Sequence, residues 1–83
     1  MQLFVVAIRD EALGCYTRLA AVGAIGGVIR AFGDMVTGAD AEMSKHPSDY
    51  KLFHVGYMDD VIGKLTPLEA PERVARGRDY VKG

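Results

Sequence analysis

The chain opens with an apolar run at residues 2–8 that stops at the charged segment 9–11. Strand side chains alternate between two faces, and here both faces of the run are apolar. Such a strand must be covered on both sides. One helix covers only one face, so a second copy of the chain is the simplest source of the other layer. The pattern therefore predicts a homo-oligomer, with a dimer favoured.

A turn at 10–14 and a returning strand at 15–20 are expected next. From Gly23 the apolar period becomes that of a helix. The stripe of this helix comprises Ile25, Val28, Ile29, Phe32 and Val36. Gly38 is predicted to end the helix in a left-handed conformation. The glycines at 26, 27 and 33 are interpreted as allowing the helix to lie close to a sheet.

The second half of the chain predicts another hairpin. The expected elements are a polar loop at 38–49, a strand at 50–58, a hairpin loop at 59–63, a returning strand at 64–68 and a short helix that starts at 70–72 and ends before Gly77. Together these elements predict one α+β domain over residues 1–83. Its fold would be a small antiparallel sheet of ββαββ order, with one main helix packed on the sheet and a short C-terminal helical segment.

The composition is typical of a folded protein, with 49% hydrophobic and 25% charged residues. Only eleven residues separate Arg18 from Arg30, whereas a membrane-spanning helix needs about 20 apolar residues. The N-terminus lacks the basic region and the cleavage site of a signal peptide. We therefore expect no membrane association.

The net charge of −1 argues against a strongly basic nucleic-acid binder, but the charges are unevenly distributed. Residues 34–60 contain six acidic residues and two lysines, whereas residues 71–83 contain four basic residues and two acidic ones. A surface for phosphate groups would therefore lie near the chain termini.

Nothing in the sequence indicates catalysis. Cys15 has no cysteine partner, and it lies far from His46 and His54, without the spacing of metal ligands. The segment 23–27 lacks the Lys-Ser/Thr of a phosphate-binding loop. Neighbouring carboxylates at 59–60 are typical of a turn. We predict a binding protein that is not an enzyme and uses no metal or cofactor. Residues interpreted as architectural are His46, Asp49, Asp59, Asp60 and Gly63.

Basic residues are interleaved with aromatic ones. Arg18 lies two positions from Tyr16, so both are expected on one strand face, and Lys51 shares strand parity with Phe53 and Tyr57. Aromatic rings can stack nucleic-acid bases while neighbouring cations hold the backbone. The alternative is that the aromatics are core residues and the cations are their solvated rim. On these residues alone, that alternative is the stronger.

Four segments together resemble one phage family. They are IRAFGD at 29–34, KHPSDYKLFHVG at 45–56, DD at 59–60 and GKL at 63–65. The sequence is similar to the small non-structural protein of gokushoviruses, tailless single-stranded-DNA phages of the microvirus group. The resemblance extends well over 25–66 and loosely over the first strand and the end at 79–82. The sequence departs from the family pattern at 16–21, where the family has a Pro-Phe segment, and at 23–27, which is richer in glycine.

The resemblance implies a protein of the host bacterial cytoplasm that binds single-stranded DNA during phage genome replication or packaging. The alternative is a protein–protein adaptor, for a phage or host replication protein or in capsid assembly, that does not contact DNA. If DNA binds, the expected stacking residues are Tyr16 and Tyr57. The expected phosphate-binding residues are Arg18, Arg30, Lys51, Lys64, Arg73, Arg76, Arg78 and Lys82.

Overall fold

Two β-hairpins join into one antiparallel sheet in the computed structural model, which describes residues 1–81. The strands are β1 (Gln2–Asp10), β2 (Cys15–Val22), β3 (Tyr50–Asp59) and β4 (Leu65–Arg76). Their order in the sheet is β2-β1-β3-β4, so β1 and β3 are central and β2 and β4 are the edges. The predicted antiparallel sheet and its hairpins are confirmed.

A helical segment connects the two hairpins. It contains α1 (Ile25–Asp34), a π-helical turn (Met35–Ala39), α2 (Ala41–Lys45) and a 3₁₀ turn (Pro47–Asp49). Gly38 has a φ of 152°, so glycine does end the first helical stretch as predicted. No helix within residues 1–81 has the length and apolarity needed to cross a membrane.

The predicted polar loop at 38–49 is wrong, because α2 lies within it. The side chain of Asp40 caps this helix by accepting hydrogen bonds of 3.0 Å each from the backbone N–H groups of Glu42 and Met43. Met43 is buried in the core, with 1% of its surface exposed. A single capping residue and one buried methionine therefore order a segment whose composition is typical of a loop.

The predicted helix at 70–72 is also wrong, because β4 continues to Arg76 and a 3₁₀ turn (Gly77–Tyr80) follows it. Pairing with β3 overrides the helix-start signal of Pro71, and proline is tolerated in β4 because this strand lies at the sheet edge. Tyr80 docks on α1, with its ring centroid 5.9 Å from that of Phe32.

The helical layer packs on one face of the sheet, here called the covered face. Val6 and Ile8 of β1 and Leu52 of β3 form the core with Phe32 and Val36 of the predicted helical stripe. Each of these side chains is at most 5% exposed. We call the opposite side of the sheet the open face.

Bulges interrupt the strand alternation at all three strand pairings of the described sheet. In β3 the extra residue is Val55, because Val5 pairs with Gly56 whereas Val6 pairs with His54. In β2 the chain bulges opposite Ala7, between the Val6–Ala20 and Ile8–Thr17 pairs. In β4 a wide bulge at 68–71 follows the pairing of Pro67 with Gly56, and Val74 is an extra residue between the Phe53–Arg73 and Leu52–Ala75 pairs. Each bulge changes which side chains share a face.

Among residues 1–81, a Cβ would lie too close to its neighbours at Gly33, Gly56 and Gly77, and of these three only Gly33 was predicted to permit close packing. A Cβ at Gly26 or Gly27 would meet nothing within 4 Å, so the predicted close approach there is wrong. A Cβ at Gly33 would lie 2.6 Å from the Tyr80 ring, and one at Gly77 would lie 2.0 Å from the carbonyl oxygen of Pro47. Glycine is therefore required where the last 3₁₀ turn meets α1 and the His46-Pro47 turn.

The predicted turn at Asp59 and Gly63 is confirmed. The Asp59 carboxylate accepts hydrogen bonds from the N–H groups of Val61 and Ile62, at 2.8 and 3.3 Å, and Gly63 has a φ of 73°. These hydrogen bonds lower the pKa of Asp59. Asp60 has a different partner, since its carboxylate lies 3.0 Å from the N-terminal ammonium.

The two histidines also have structural surroundings. His54 is buried, and its Nε2 lies 2.8 Å from the carbonyl oxygen of Gly56. The carbonyl of His46 accepts a 3.0 Å hydrogen bond from the N–H of Asp49 and so closes the 3₁₀ turn. Both contacts agree with the interpretation of these residues as parts of the sheet and of a turn.

Candidate nucleic-acid interface

One residue from each strand contributes to a row across the open face. Arg9 of β1 pairs with Tyr16 of β2 and with Lys51 of β3, and Lys51 pairs with Arg76 of β4. Residues paired directly across antiparallel strands project from the same face. The row therefore carries three cations and one aromatic ring, at strand spacings of about 4.8 Å.

A second row lies beside the first, toward the centre of the sheet. Phe53 of β3 pairs with Ala7 of β1 and with Arg73 of β4. The rings of Phe53 and Tyr16 meet edge to face over β1, with centroids 5.5 Å apart at 81°. The small side chain of Ala7, which is only 2% exposed, leaves room beneath them. The two rings thus form an apolar surface flanked by cations.

Arg9 and Tyr16 contact each other directly. The guanidinium carbon of Arg9 lies 5.1 Å from the centroid of the Tyr16 ring, a distance at which the cation is attracted to the ring. Tyr16 remains 40% exposed. Its ring is therefore both held by the row and accessible to a planar ligand.

Two carboxylates contact the cations of the row. One oxygen of Glu11 lies 3.4 Å from Arg9 Nε and 3.6 Å from Lys51 Nζ. Asp79 receives two hydrogen bonds from the Arg76 guanidinium, at 3.0 and 2.9 Å. This pairing lowers the pKa of Asp79 and raises the pKa of Arg76. Arg73 is exposed and has no ion pair among residues 1–81.

We name these six residues the basic–aromatic patch: Arg9, Tyr16, Lys51, Phe53, Arg73 and Arg76. Four of them were among the predicted DNA-binding residues, namely Tyr16, Lys51, Arg73 and Arg76. The structure brings these four together although they come from three different strands. Arg9 and Phe53 were absent from the predicted set. Both could have been found, since Arg9 continues the alternation of Val5 and Ala7 and Phe53 shares its parity with Lys51.

Tyr57 lies on the other face. The extra residue at Val55 reverses the alternation, so Tyr57 pairs with Phe4 and its ring contacts that of buried His54 at a centroid distance of 4.8 Å. The predicted common face of Lys51, Phe53 and Tyr57 is therefore wrong for Tyr57.

Arg18 is also separated from the patch. It lies in the β2 bulge with a φ of 53°, and its guanidinium forms an ion pair with Asp40, the cap of α2 on the covered side. The predicted common face of Arg18 and Tyr16 is wrong for the same reason as at Tyr57: a bulge interrupts the alternation.

The other predicted cations do not join the row. Arg30 is exposed on α1, on the covered side of the sheet, and Lys64 lies in the β3–β4 loop at the opposite end of the sheet. Arg78 is exposed in the last 3₁₀ turn, next to Asp79. Lys82 lies outside the described residues.

Away from the patch, the open face is apolar around Val5, Gly56 and Pro67. A groove of about 350 Å³ lies between Val5, Val55, Gly56, Leu65 and Pro67. It reaches Leu19, which is 70% exposed. We call this feature the apolar groove. The open face therefore has a charged, aromatic end and an apolar end.

The class of protein is a small α+β domain with a four-stranded antiparallel sheet, one helical layer and an uncovered face that concentrates cations and aromatic rings. A family model described as "Phage ORF5 protein" matches residues 3–80, so the chain belongs to that phage protein family. No curated protein and no solved structure matches the chain.

Proposed function

We propose that the basic–aromatic patch binds single-stranded DNA during replication or packaging of a phage genome in the bacterial cytoplasm. The observation that carries the proposal is the row of Tyr16, Arg9, Lys51 and Arg76 across all four strands. Exposed rings stack bases without regard to sequence, and nearby cations neutralise the backbone. Membership of a phage family supports this reading, as does the resemblance to the gokushovirus non-structural protein.

The charge distribution suits this function despite the net charge of −1. Acidic residues of the middle segment, such as Asp34, Asp40 and Glu42, lie in the helical layer on the covered side. The cations of the patch lie on the other side of the sheet. The four patch cations outnumber the two carboxylates that contact them within residues 1–81, Glu11 and Asp79, so this side can present a basic surface to a polyanion.

The proposal is tested by titrating a fluorescent oligothymidine with the protein at several salt concentrations. Each phosphate neutralised on a single strand contributes about −0.7 to the slope of log affinity against log salt. The four cations of the patch therefore predict a slope of about −3 per subunit if each contacts one phosphate. The double variant K51A/R73A should halve this slope.

The matched control is R30A/K64A, which removes the same charge from positions outside the patch. It should leave the slope close to that of the wild type. Absence of oligonucleotide binding by the wild type at low salt, where the electrostatic contribution is largest, contradicts the proposal.

The apolar groove supports a second candidate, the protein–protein adaptor. Exposed apolar side chains continue beyond the groove onto the β3–β4 hairpin, where Val61 and Ile62 are 82% and 72% exposed. An adaptor would use this end of the molecule and would leave oligonucleotides unbound. The salt titration therefore distinguishes the two functions.

A further inference from the structure

The carboxylates at the basic–aromatic patch occupy positions suited to phosphate groups. The Oε1 atom of Glu11 bridges two cations that come from different strands, Arg9 and Lys51. This carboxylate is 38% exposed, and each cation is 29% exposed. Glu11 therefore holds a solvent-accessible position between the two cations at which another anion could also bind.

Asp79 has the same relation to the third cation of the row. Both of its oxygens accept hydrogen bonds from Arg76, in the two-pronged geometry that guanidinium also forms with phosphate. The exposed single-contact ion pairs of Glu11 contribute little net stability. They can consequently be exchanged for contacts with a more highly charged ligand at small cost.

We propose that two phosphodiester groups of the bound strand take the places of the Glu11 and Asp79 carboxylates, the first between Arg9 and Lys51 and the second on Arg76. This inference rests on the proposed DNA-binding function and adds the positions of the phosphates. It makes Glu11 and Asp79 internal competitors of the ligand. Their carboxylates hold the cations in place in the free protein and release them when the DNA binds.

The direct test compares E11Q with E42Q in the oligothymidine titration. Both variants remove one negative charge and keep the side-chain size, but Glu42 lies on α2 on the covered side. E11Q should bind roughly two- to fivefold more tightly than E42Q, the range expected when one exposed ion pair no longer competes. D79N should show a similar gain relative to D34N, whose carboxylate lies on α1.

An oligonucleotide that lacks bases distinguishes binding through the phosphates from binding through base stacking. The gain of E11Q over E42Q should persist with an abasic oligonucleotide of the same length, because the backbone phosphates are unchanged. Equal affinities of E11Q and E42Q, weaker binding by E11Q, or a gain confined to oligothymidine would each overturn the inference. These results require a wild type that binds DNA, whereas a wild type that does not bind contradicts the proposed function itself.

Discussion

Tyr16 is the most accessible ring of the basic–aromatic patch. It belongs to an edge strand, and its contacts with Arg9 and Phe53 fix its orientation. Replacing it with leucine removes the stacking surface, whereas phenylalanine keeps the ring. We expect Y16L to weaken oligothymidine binding by about 1–3 kcal/mol at every salt concentration. Fluorescence anisotropy at several salt concentrations measures the loss.

Y16F is the matched control and should bind within about twofold of the wild type, a factor worth less than the stacking of one base. Equal losses in Y16F and Y16L would show that the hydroxyl, and not the ring, makes the contact.

A second prediction at this scale compares a tightly packed glycine with a glycine that faces open space. A Cβ at Gly77 would overlap the carbonyl oxygen of Pro47, whereas a Cβ at Gly27 would enter open space. G77A should therefore destabilise the fold by about 1–3 kcal/mol through overpacking. G27A should stabilise the fold by up to ~1 kcal/mol, because alanine is the better helix former. Urea unfolding of both variants measures these effects.

G27A is the control for introducing a methyl group at a glycine. If G77A unfolded at the same urea concentration as the wild type, the close approach of Gly77 to Pro47 would not exist in solution.

The sequence identified residue types better than it identified their faces. The interleaving of aromatics and cations selected Tyr16 and Lys51, and the basic C-terminal segment selected Arg73 and Arg76; the structure places these four side chains near one another. The interleaving argument misplaced Tyr57 and Arg18, because simple alternation holds no information about bulges. Glycine within a strand is one available signal of a bulge, and Gly56 follows Val55 directly. Arg18 has no comparable signal, since a left-handed arginine is unusual.

At the scale of elements, α2 depends on the ionised Asp40. Hydrogen bonds from the Met43 N–H and from Arg18 lower the pKa of this carboxyl group. A lowered pKa in the folded state stabilises the fold above the unfolded value, near 3.9, and this contribution is lost as the pH falls through the folded value. We expect the Tm of the wild type to decline more steeply between pH 5 and pH 2 than that of D40N.

Asparagine also caps helices, so D40N isolates the charge from the capping geometry. Asp59 and Asp79 have lowered pKa values too, and D40N should therefore reduce the acid sensitivity without abolishing it. Tm–pH curves of wild type and D40N that differ only by a constant offset would contradict this role of Asp40.

The elements themselves were partly predictable. Local patterns identified the hairpins at 10–14 and 59–63 and the helical stripe with its buried Phe32 and Val36. They failed for α2, which is short and depends on one cap and on the burial of Met43. They also failed for the second half of β4, where pairing of Arg73 and Arg76 with β3 decides the conformation. Long-range pairing is not visible in a window of neighbouring residues.

At the scale of the whole molecule, the helical layer covers only one face of the sheet. The predicted dimer, in which a second copy would cover the other face, remains a prediction. The chain measures 43 × 24 × 17 Å and has a radius of gyration of 13.0 Å. A compact chain of this length would have a radius of gyration of about 12 Å, so this chain is slightly more extended. The apolar groove is the uncovered surface that a second layer would need to fill. We expect analytical ultracentrifugation at micromolar concentration to give a dimer or a larger species.

A stable species of 9.0 kDa at the highest concentration tested would contradict this expectation. Sedimentation in low and high salt is a useful control. Association through apolar surface should persist at high salt, whereas association through the patch should weaken because exposed charges are screened.

The strand order also determines when the row of Tyr16, Arg9, Lys51 and Arg76 forms during synthesis. Each hairpin alone carries half of it, with Arg9 and Tyr16 on β1 and β2 and with Lys51 and Arg76 on β3 and β4. The halves meet only when β1 pairs with β3 across the whole helical segment, a closure that is slower than hairpin formation. A nascent chain therefore has no complete row until β4 has left the ribosome. The complete row is therefore a property of the finished fold, and no fragment that lacks either hairpin can contain it.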